Sequence, residues 1–576
     1  MVAVMRLLGH TGWWNTAMKL AATAERTADG FSPHRPTSER MRGAEVMFES
    51  ILFPGSNRVS APFATKEPEC FRDLGLDQIV ETLTASREEY ELPPIYWTAV
   101  RDSEVIEYRQ GVYTDLAHPA VHHAAAEFAE GMRLHRARFV QASRLFAREQ
   151  RPFWVLSAIV THQGAVRDFA RALKDVPLRS AGMLALRDWL DALVTGQAFT
   201  EAVERAADIR SRLDEIHFTV RIDGLRVEVA PFADQPDYSA EVEATFARFK
   251  QGEVKDHRVR YTDYVDADRV EEGVLRLVGE ENQHVFAALD QYVREYACSE
   301  PAAYLDPTVA RVDRELQFYL SYLEHLAPMV EDGLEFCMPR VSASKAVSAQ
   351  HTFDLALAEK LDRHRASMVT NDFELREPER LIVVTGANQG GKTTFSRTFG
   401  QLHWLAELGL PVPGSSASLF LFDALFTHYE KQEDISNLRG KLEDELVRIR
   451  KILEAATSDS VVIMNEIFNS TTLDDSILLG TAVLKQIIER DILAVCVTFV
   501  DELTTLSDTT VSMVAAVDPA EPTKRTFKLE RRPADGLAYA LALADKYRLR
   551  NAQVRQSIEG TQSESRVLLD PVEKGA

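Results

Sequence analysis

The sequence predicts a multidomain α and α/β protein, in which a helical core or lever region with a small β insertion precedes a P-loop α/β domain. Length is the first observation behind this, because 576 residues exceed one compact core and predict two to four structural units. Periodicity is the second: apolar residues recur at helical spacing through the middle of the chain and alternate with polar ones over one short stretch. The third is an apolar run at Leu381 that passes through a Gly-rich turn into a helical pattern.

Composition removes several alternatives. Hydrophobic residues make up 45% and charged residues 27%, a globular balance that excludes a mainly disordered, collagenous or disulfide-stapled chain. The net charge of -22 means that overall charge cannot hold the protein on DNA, so any nucleic-acid contact needs a local basic surface. Cys70, Cys298, Cys337 and Cys496 are far apart and form no C-x-x-C, which argues against a zinc cage and for a reducing, cytoplasmic compartment. No apolar run approaches the roughly 20 residues that span a bilayer, and the longest, Ile492 to Val500, reads as a buried strand. No membrane partner is expected.

In chain order, residues 1–43 read as a loose extension containing Trp13-Trp14 and a stretch rich in Ser, Pro, Arg and Gly. Residues 44–115 form a mixed α/β segment broken at Pro54, Pro62, Pro68, Pro93 and Pro94. Residues 116–375 are the helical region. Phe128, Met132, Phe139 and Phe146 form one stripe, and Arg133, Arg144 and Arg148 fall opposite it, flanked by Arg136. Such a helix packs inward and offers guanidinium groups to phosphates; an ordinary solvated face fits the same pattern. Adjacent His122-His123 lack a ligand partner at metal spacing and read as helix surface.

The β insertion is expected near 215–265. HFTVRIDGLRVEVAP alternates about Asp223-Gly224, the signature of a hairpin, and HRVRYTDYV from His257 is a further strand-like piece. Asp263, Asp266 and Asp268 lack EF-hand spacing and read as an acidic turn. Val309, Leu316 and Leu323 recur by sevens, as do Val312, Tyr319 and Leu326. This seam suits a long helix able to transmit motion, and equally an ordinary core helix.

Residues 376–553 form the P-loop domain, with a polar tail at 554–576. Gly386-x4-Gly391-Lys392-Thr393 fits G-x4-GK[ST] between an apolar strand and a helix. The nucleotide-binding residues are therefore Gly386, Ala387, Asn388, Gln389, Gly390, Gly391, Lys392, Thr393 and Thr394. Glycines let backbone N–H groups close around phosphates, and the helix N-terminus adds positive potential. Lys392 supplies a charge, and the Thr393 hydroxyl is a ligand for Mg2+. A second apolar strand, Val461 to Met464, ends in Asn465-Glu466. Glu466 is placed to polarise a water as base, and Asn465 to hold Mg2+ through a bound water. ATP and Mg2+ are the expected cofactors of an ABC-like ATPase domain.

These motifs resemble the MutS family of mismatch-repair ATPases. TGANQGGKTT resembles that family's TGPNMGGKST loop, and FLFDALFTHYEKQED resembles the segment leading to its inter-subunit signature. ELVRIRKILEAAT is similar to the helix that follows. MNEIFNSTTLDD is similar to DE-x-GRGT-S-T-x-D-G, with Asp475 at the late Asp, and Gly536 and Tyr539 fit a closing G-x-x-Y. The likeness is dense from Phe336 to Leu506. It implies an ATP-dependent DNA-binding dimer in which Asn437, Gly440 and Lys441 form the inter-subunit signature.

Departures from the family pattern qualify what it implies. Asn465 stands at the Walker B Asp, Gly440 at the signature Ser and Phe499 at the sensor His. His351 lies near the family's His-Pro ahead of the ATPase strand. No G-x-F-Y-E-like segment precedes the helical core, so a divergent member without the mismatch-recognition domain is expected. Two readings follow: a DNA-bound dimer switched by slow ATP hydrolysis, or a nucleotide-gated scaffold or RNA- or ribosome-associated ATPase with little hydrolysis.

Overall fold

The structure, a computed structural model, describes residues 2–6, 48–55, 63–145, 149–223, 226–232, 244–245, 269–296, 306–361, 368–430, 440–518 and 525–534. It divides into two compact units, Met1–Ser60 with Thr114–Leu320 and Ala61–Tyr113 with Ser321–Ala576. The architecture is mixed α/β.

In the first unit, the helices Pro119–Arg144 and Arg151–Ala172 run antiparallel. His118 caps the first by accepting from Ala120 N, and Pro119 occupies its first turn, where the missing N–H costs nothing. Gly131 permits the close crossing, since a Cβ there would come 2.6 Å from Ala165 Cβ. Phe128 stacks on Phe169 with ring centroids 4.6 Å apart, and Met132 and Phe139 are buried on the expected stripe. Phe146 lies outside the described residues. A core of Phe139, Leu156, Ile159, Ile209, Leu213, Phe218 and Tyr292 joins these helices to Gln197–Asp214, Gln283–Tyr296 and the small sheet.

The hairpin forms as expected. Strands β2 (His217–Asp223) and β3 (Arg226–Pro231) pair antiparallel with Asp223 opposite Arg226. Strand β1 (Val2–Arg6) adds to β2, so the first residues of the extension expected to be loose are paired in a three-stranded sheet. Five residues are too few to show a strand period in the sequence. The strand-like piece at His257 and the acidic turn lie outside the described residues, as do Trp13-Trp14 and the polar tail.

On the helix Pro307–Glu331, the seam residues Val309, Val312, Leu316 and Tyr319 are buried. Two carboxylates on it are buried as well, and each has a partner. Glu315 accepts from Ser50 Oγ and Ile51 N, both at 2.8 Å, and Asp313 pairs with Arg136.

The second unit is built on a six-stranded sheet. Its order is β11 (Leu425–His428), β12 (Val461–Asn465), β13 (Leu493–Val497), β8 (Leu381–Gly386), β14 (Thr510–Val517) and β15 (Arg525–Arg531). All neighbours are parallel except β15, which is antiparallel to β14. Leu381 to Val384, Val461 to Ile463 and Leu493 to Val497 are fully buried, as their unbroken apolar runs require of a parallel sheet covered on both faces. A second sheet joins β5 (Arg340–Ser342), β10 (Ser416–Phe420), β6 (Val347–Thr352) and β7 (Asn371–Leu375). A third pairs β4 (Phe336–Cys337) with β9 (Val412–Pro413).

Two domain expectations change here. Residues 63–113 contain helices and no strand among the described residues, and belong to this second unit. Pro93 and Pro94 begin a short helix rather than break one. The helical region also ends before residue 375, because β4 to β7 join the second unit. Strands of two to six residues leave little periodicity to read.

Residues 63–113 pack on the helix Lys392–Glu407, which is buried along most of its length. Gln401 donates to Leu74 O (2.8 Å) and Asp354 Oδ1 (2.9 Å), and accepts from Leu355 N (2.9 Å). Trp404 Nε1 donates to Tyr96 O at 2.9 Å, and Thr427 donates to Asp73 at 2.6 Å. A Cβ on Gly400 would come 2.5 Å from Leu74 Cδ2. No helix among the described residues is long and apolar enough to cross a membrane.

A pH dependence follows from the first unit. His135 and His162 lie between the long helices, ring centroids 5.4 Å apart, and burial pushes their pKa values down to about 4 and about 3. Both are neutral in the fold, whereas the unfolded chain takes up protons as pH falls through about 6.5. Stability is therefore full above pH 6.5 and lost progressively from there toward pH 4. Between pH 7 and 5 the loss should be about 1–2 kcal/mol per histidine. Urea unfolding at both pH values checks this, with His162→Leu losing less than the wild type by one histidine's share.

Candidate functional site

The site begins where β8 ends. Gly386 takes φ 108°, and a Cβ there would lie 3.0 Å from the backbone N and O of Ala515 on β14. The chain turns through Ala387, Asn388, Gln389 and Gly390 to Gly391 at φ 93°, where the helix Lys392–Glu407 starts. Glycine tolerates such angles without a Cβ penalty. Arg525 on β15 donates to Asn388 O at 3.0 Å and ties the loop to the sheet edge.

Lys392 folds back over this loop. Its Nζ donates to Gly386 O at 2.8 Å, lies 3.5 Å from Ala387 O and stands 3.9 Å from the Phe499 ring centroid. Burial pushes its pKa down to about 8, against the opposing charges of Glu466 and Asp501. Thr393, the next residue, donates from Oγ1 to Asn465 Oδ1 at 3.0 Å, joining the loop to the end of β12.

Glu466 follows at φ 60°, with its N–H donated to Val497 O at 2.8 Å and its carboxylate accepting from Asn469 at 3.2 Å. Burial raises its pKa, Lys392 opposes the rise and Glu430 adds to it. The turn beyond is pinned by Glu445, which sequence reasoning placed only within a helix. Its carboxylate accepts from Phe468 N at 2.6 Å and lies 3.4 Å from both His428 Nε2 and Ser470 Oγ. These contacts outweigh burial and hold the Glu445 pKa below the usual range. One signal was available: Glu445 falls one turn before Ile449 on the buried face of the helix Lys441–Ala455.

The loop, Thr393, Asn465, Glu466 and Phe499 thus lie close together. The signature residues are less defined. Gly440 is the exposed N-cap of Lys441–Ala455, Lys441 pairs with Glu430, and Asn437 lies outside the described residues. His351 is exposed at φ 54°, 3.6 Å from the Glu335 carboxylate.

The arginines belong to the first unit. Arg133 pairs with Glu130 at 2.6 Å with both side chains half exposed, and Arg144 is exposed in the last turn of its helix. Arg136 differs from the expectation: it pairs with Asp313, which is 2% exposed, so its guanidinium compensates a buried charge instead of facing phosphates. Arg148 lies outside the described residues. His123 pairs with Glu127 one turn along the helix surface. No grouping of three or more His, Cys, Asp or Glu fit for a metal occurs among the described residues.

Comparison with known proteins bears on the same segment. The family model of MutS domain V matches residues 382–551. Proteins described as DNA mismatch repair protein MutS, from Thermotoga maritima, Thermotoga sp. (strain RQ2) and Thermotoga petrophila, are each 30% identical over 146 residues. That stretch is 25% of this chain and 18% of each relative, so the chain matches under a fifth of their length. Residues 382–551 therefore resemble MutS domain V.

Proposed function

We propose that the chain binds ATP with Mg2+ at the Gly386–Thr394 loop, hydrolyses it slowly, and uses it to switch a DNA-bound homodimer. The observation that carries this reading is the 3.0 Å bond from Thr393 to Asn465, with Lys392 lying over the loop carbonyls. It brings a Gly-rich anion cradle, an ammonium and two oxygen ligands to one strand edge. Parallel sheets offer their ligand sites at this carboxyl end.

Each residue then has a role. Backbone N–H groups of the loop and the start of the helix receive phosphate oxygens, and Lys392 exchanges Gly386 O for them. Thr393 and Asn465 fit Mg2+, a hard cation that takes few protein oxygens beside phosphate and water; it would neutralise charge on the phosphates. Asn465 brings no charge, which weakens the hold on the metal. Glu466, its pKa raised by burial, is placed to accept a proton from water, and Glu445 fixes the turn that presents it. DNA enters this reading from the relatives' names and from Arg133 and Arg144. Free Cys70, Cys337 and Cys496 fit a reducing compartment.

A second reading, a nucleotide-gated scaffold or RNA- or ribosome-associated ATPase with little turnover, is favoured by one contact. The ammonium faces the ring of Phe499, which offers no donor to a phosphate.

Variants at three places test these readings. Lys392→Ala should weaken a fluorescent ATP analogue by about tenfold to a hundredfold, the scale of charge-assisted hydrogen bonds; equal binding by both proteins would show the site wrongly assigned. Glu466→Gln removes the base at constant size and should slow hydrolysis by roughly 10²- to 10⁴-fold. In sedimentation it should stay dimeric with ATP but not ADP; a monomer under all conditions would refute nucleotide-driven closure. Loss of both Arg133 and Arg144 should flatten the salt dependence of duplex DNA binding by roughly 0.9 per contact, and an unchanged slope leaves them as a solvated face.

A further inference from the structure

Lys392 is 4% exposed, yet the ring it faces is 43% exposed. The ammonium centre lies 3.9 Å from the centroid of Phe499. It donates to main-chain carbonyls of the loop, Gly386 O at 2.8 Å and Ala387 O at 3.5 Å. The ring rests on fixed backbone. Thr498 N donates to Val384 O at 3.0 Å, and Val500 N donates to Thr498 Oγ1 at 3.0 Å, so both neighbours of Phe499 are tied at the end of β13. Ring and carbonyls together occupy the reach of a group that has three donors and no acceptor.

We propose that Phe499 is a displaceable cap on Lys392, which competes with the polyphosphate chain of a nucleotide for the same ammonium. This deepens the nucleotide reading above and rests on it. An aromatic face attracts a cation through its quadrupole and gives an anion nothing in return. The contact therefore stabilises the nucleotide-free arrangement alone, and whatever stabilises that state lowers apparent affinity. Phe499 sets how much nucleotide is needed to free the lysine. It is a positioning residue, acting through Lys392.

Calorimetric titration of the full chain with Mg2+ and either ATP or inorganic tripolyphosphate tests the cap. Phe499→Leu keeps apolar bulk and removes the π face, so both ligands should bind roughly two- to thirtyfold more tightly. Phe499→Trp presents the strongest face and should bind both more weakly than wild type. Phe499→Tyr keeps ring and shape and should stay close to wild type, which separates the cap from a general packing defect. A flat series, or weaker binding in Phe499→Leu, overturns the proposal. So does an effect seen with ATP but absent with tripolyphosphate, because the ring would then be meeting the base. If ATP binds, is lost in Lys392→Ala and ignores residue 499, the cap alone fails. If neither wild type nor Phe499→Leu binds either ligand, the nucleotide reading fails with it.

Discussion

Everything at the candidate site depends on one spacing: β12 must end at Asn465, in register through β13 with Val384 near the end of β8, so that Thr393 reaches Asn465. A parallel sheet buried on both faces cannot carry polar side chains along its strands without leaving them unsatisfied. Polarity is therefore pushed to the strand ends. Asn465, Glu466, Thr498 and the Gly-rich loop all follow directly on apolar runs. The register that pairs Val461 with Leu493, and Ala494 with Leu381, sets where each run ends relative to the next. Sliding one strand by a residue would turn its buried side chains to the other face, so core packing and site geometry are one constraint.

Charge at the site is arranged around a cation held away from water. Lys392 is shifted toward neutrality by burial, and Glu466 is shifted the same way from the acidic side. Each partly offsets the other's cost, since the charge of one favours the ionised form of its neighbour. Neither is fully paired, which distinguishes this arrangement from the structural ion pair of Arg136 and Asp313. A partly compensated pair is ready to rearrange when an anion enters. A closed pair is a fixture of the fold.

The glycine loop, the Asn465-Glu466 strand end, the hairpin at Asp223 and the buried seam of Val309 to Tyr319 were legible because each is local. Turn chemistry, strand run and helical period all act within about ten residues. Three other features were not legible, for one shared reason. The seat of residues 63–113 on the helix Lys392–Glu407, the partner of Arg136 and the role of Glu445 are contacts between distant positions. Arginines opposite an apolar stripe look the same whether they face solvent or a buried carboxylate 177 positions away. Strands β4 to β7 escaped for a second reason: pieces of two to six residues are recognised by pairing, which the residues themselves do not encode as a period.

The hydrogen bond from Gln401 to Leu74 spans 327 positions, and the whole first-unit segment Thr114–Leu320 lies between its ends. During synthesis the helices of residues 63–113 leave the ribosome long before their seat exists. Phe71, Leu74 and Tyr96, all buried in the finished protein, must wait through that interval with apolar surface uncovered. Closing so long a loop costs only slightly more entropy than closing a moderate one, but it delays the contact that rewards it. The helix that starts at the glycine loop is therefore covered by a stretch of chain made some three hundred residues before it.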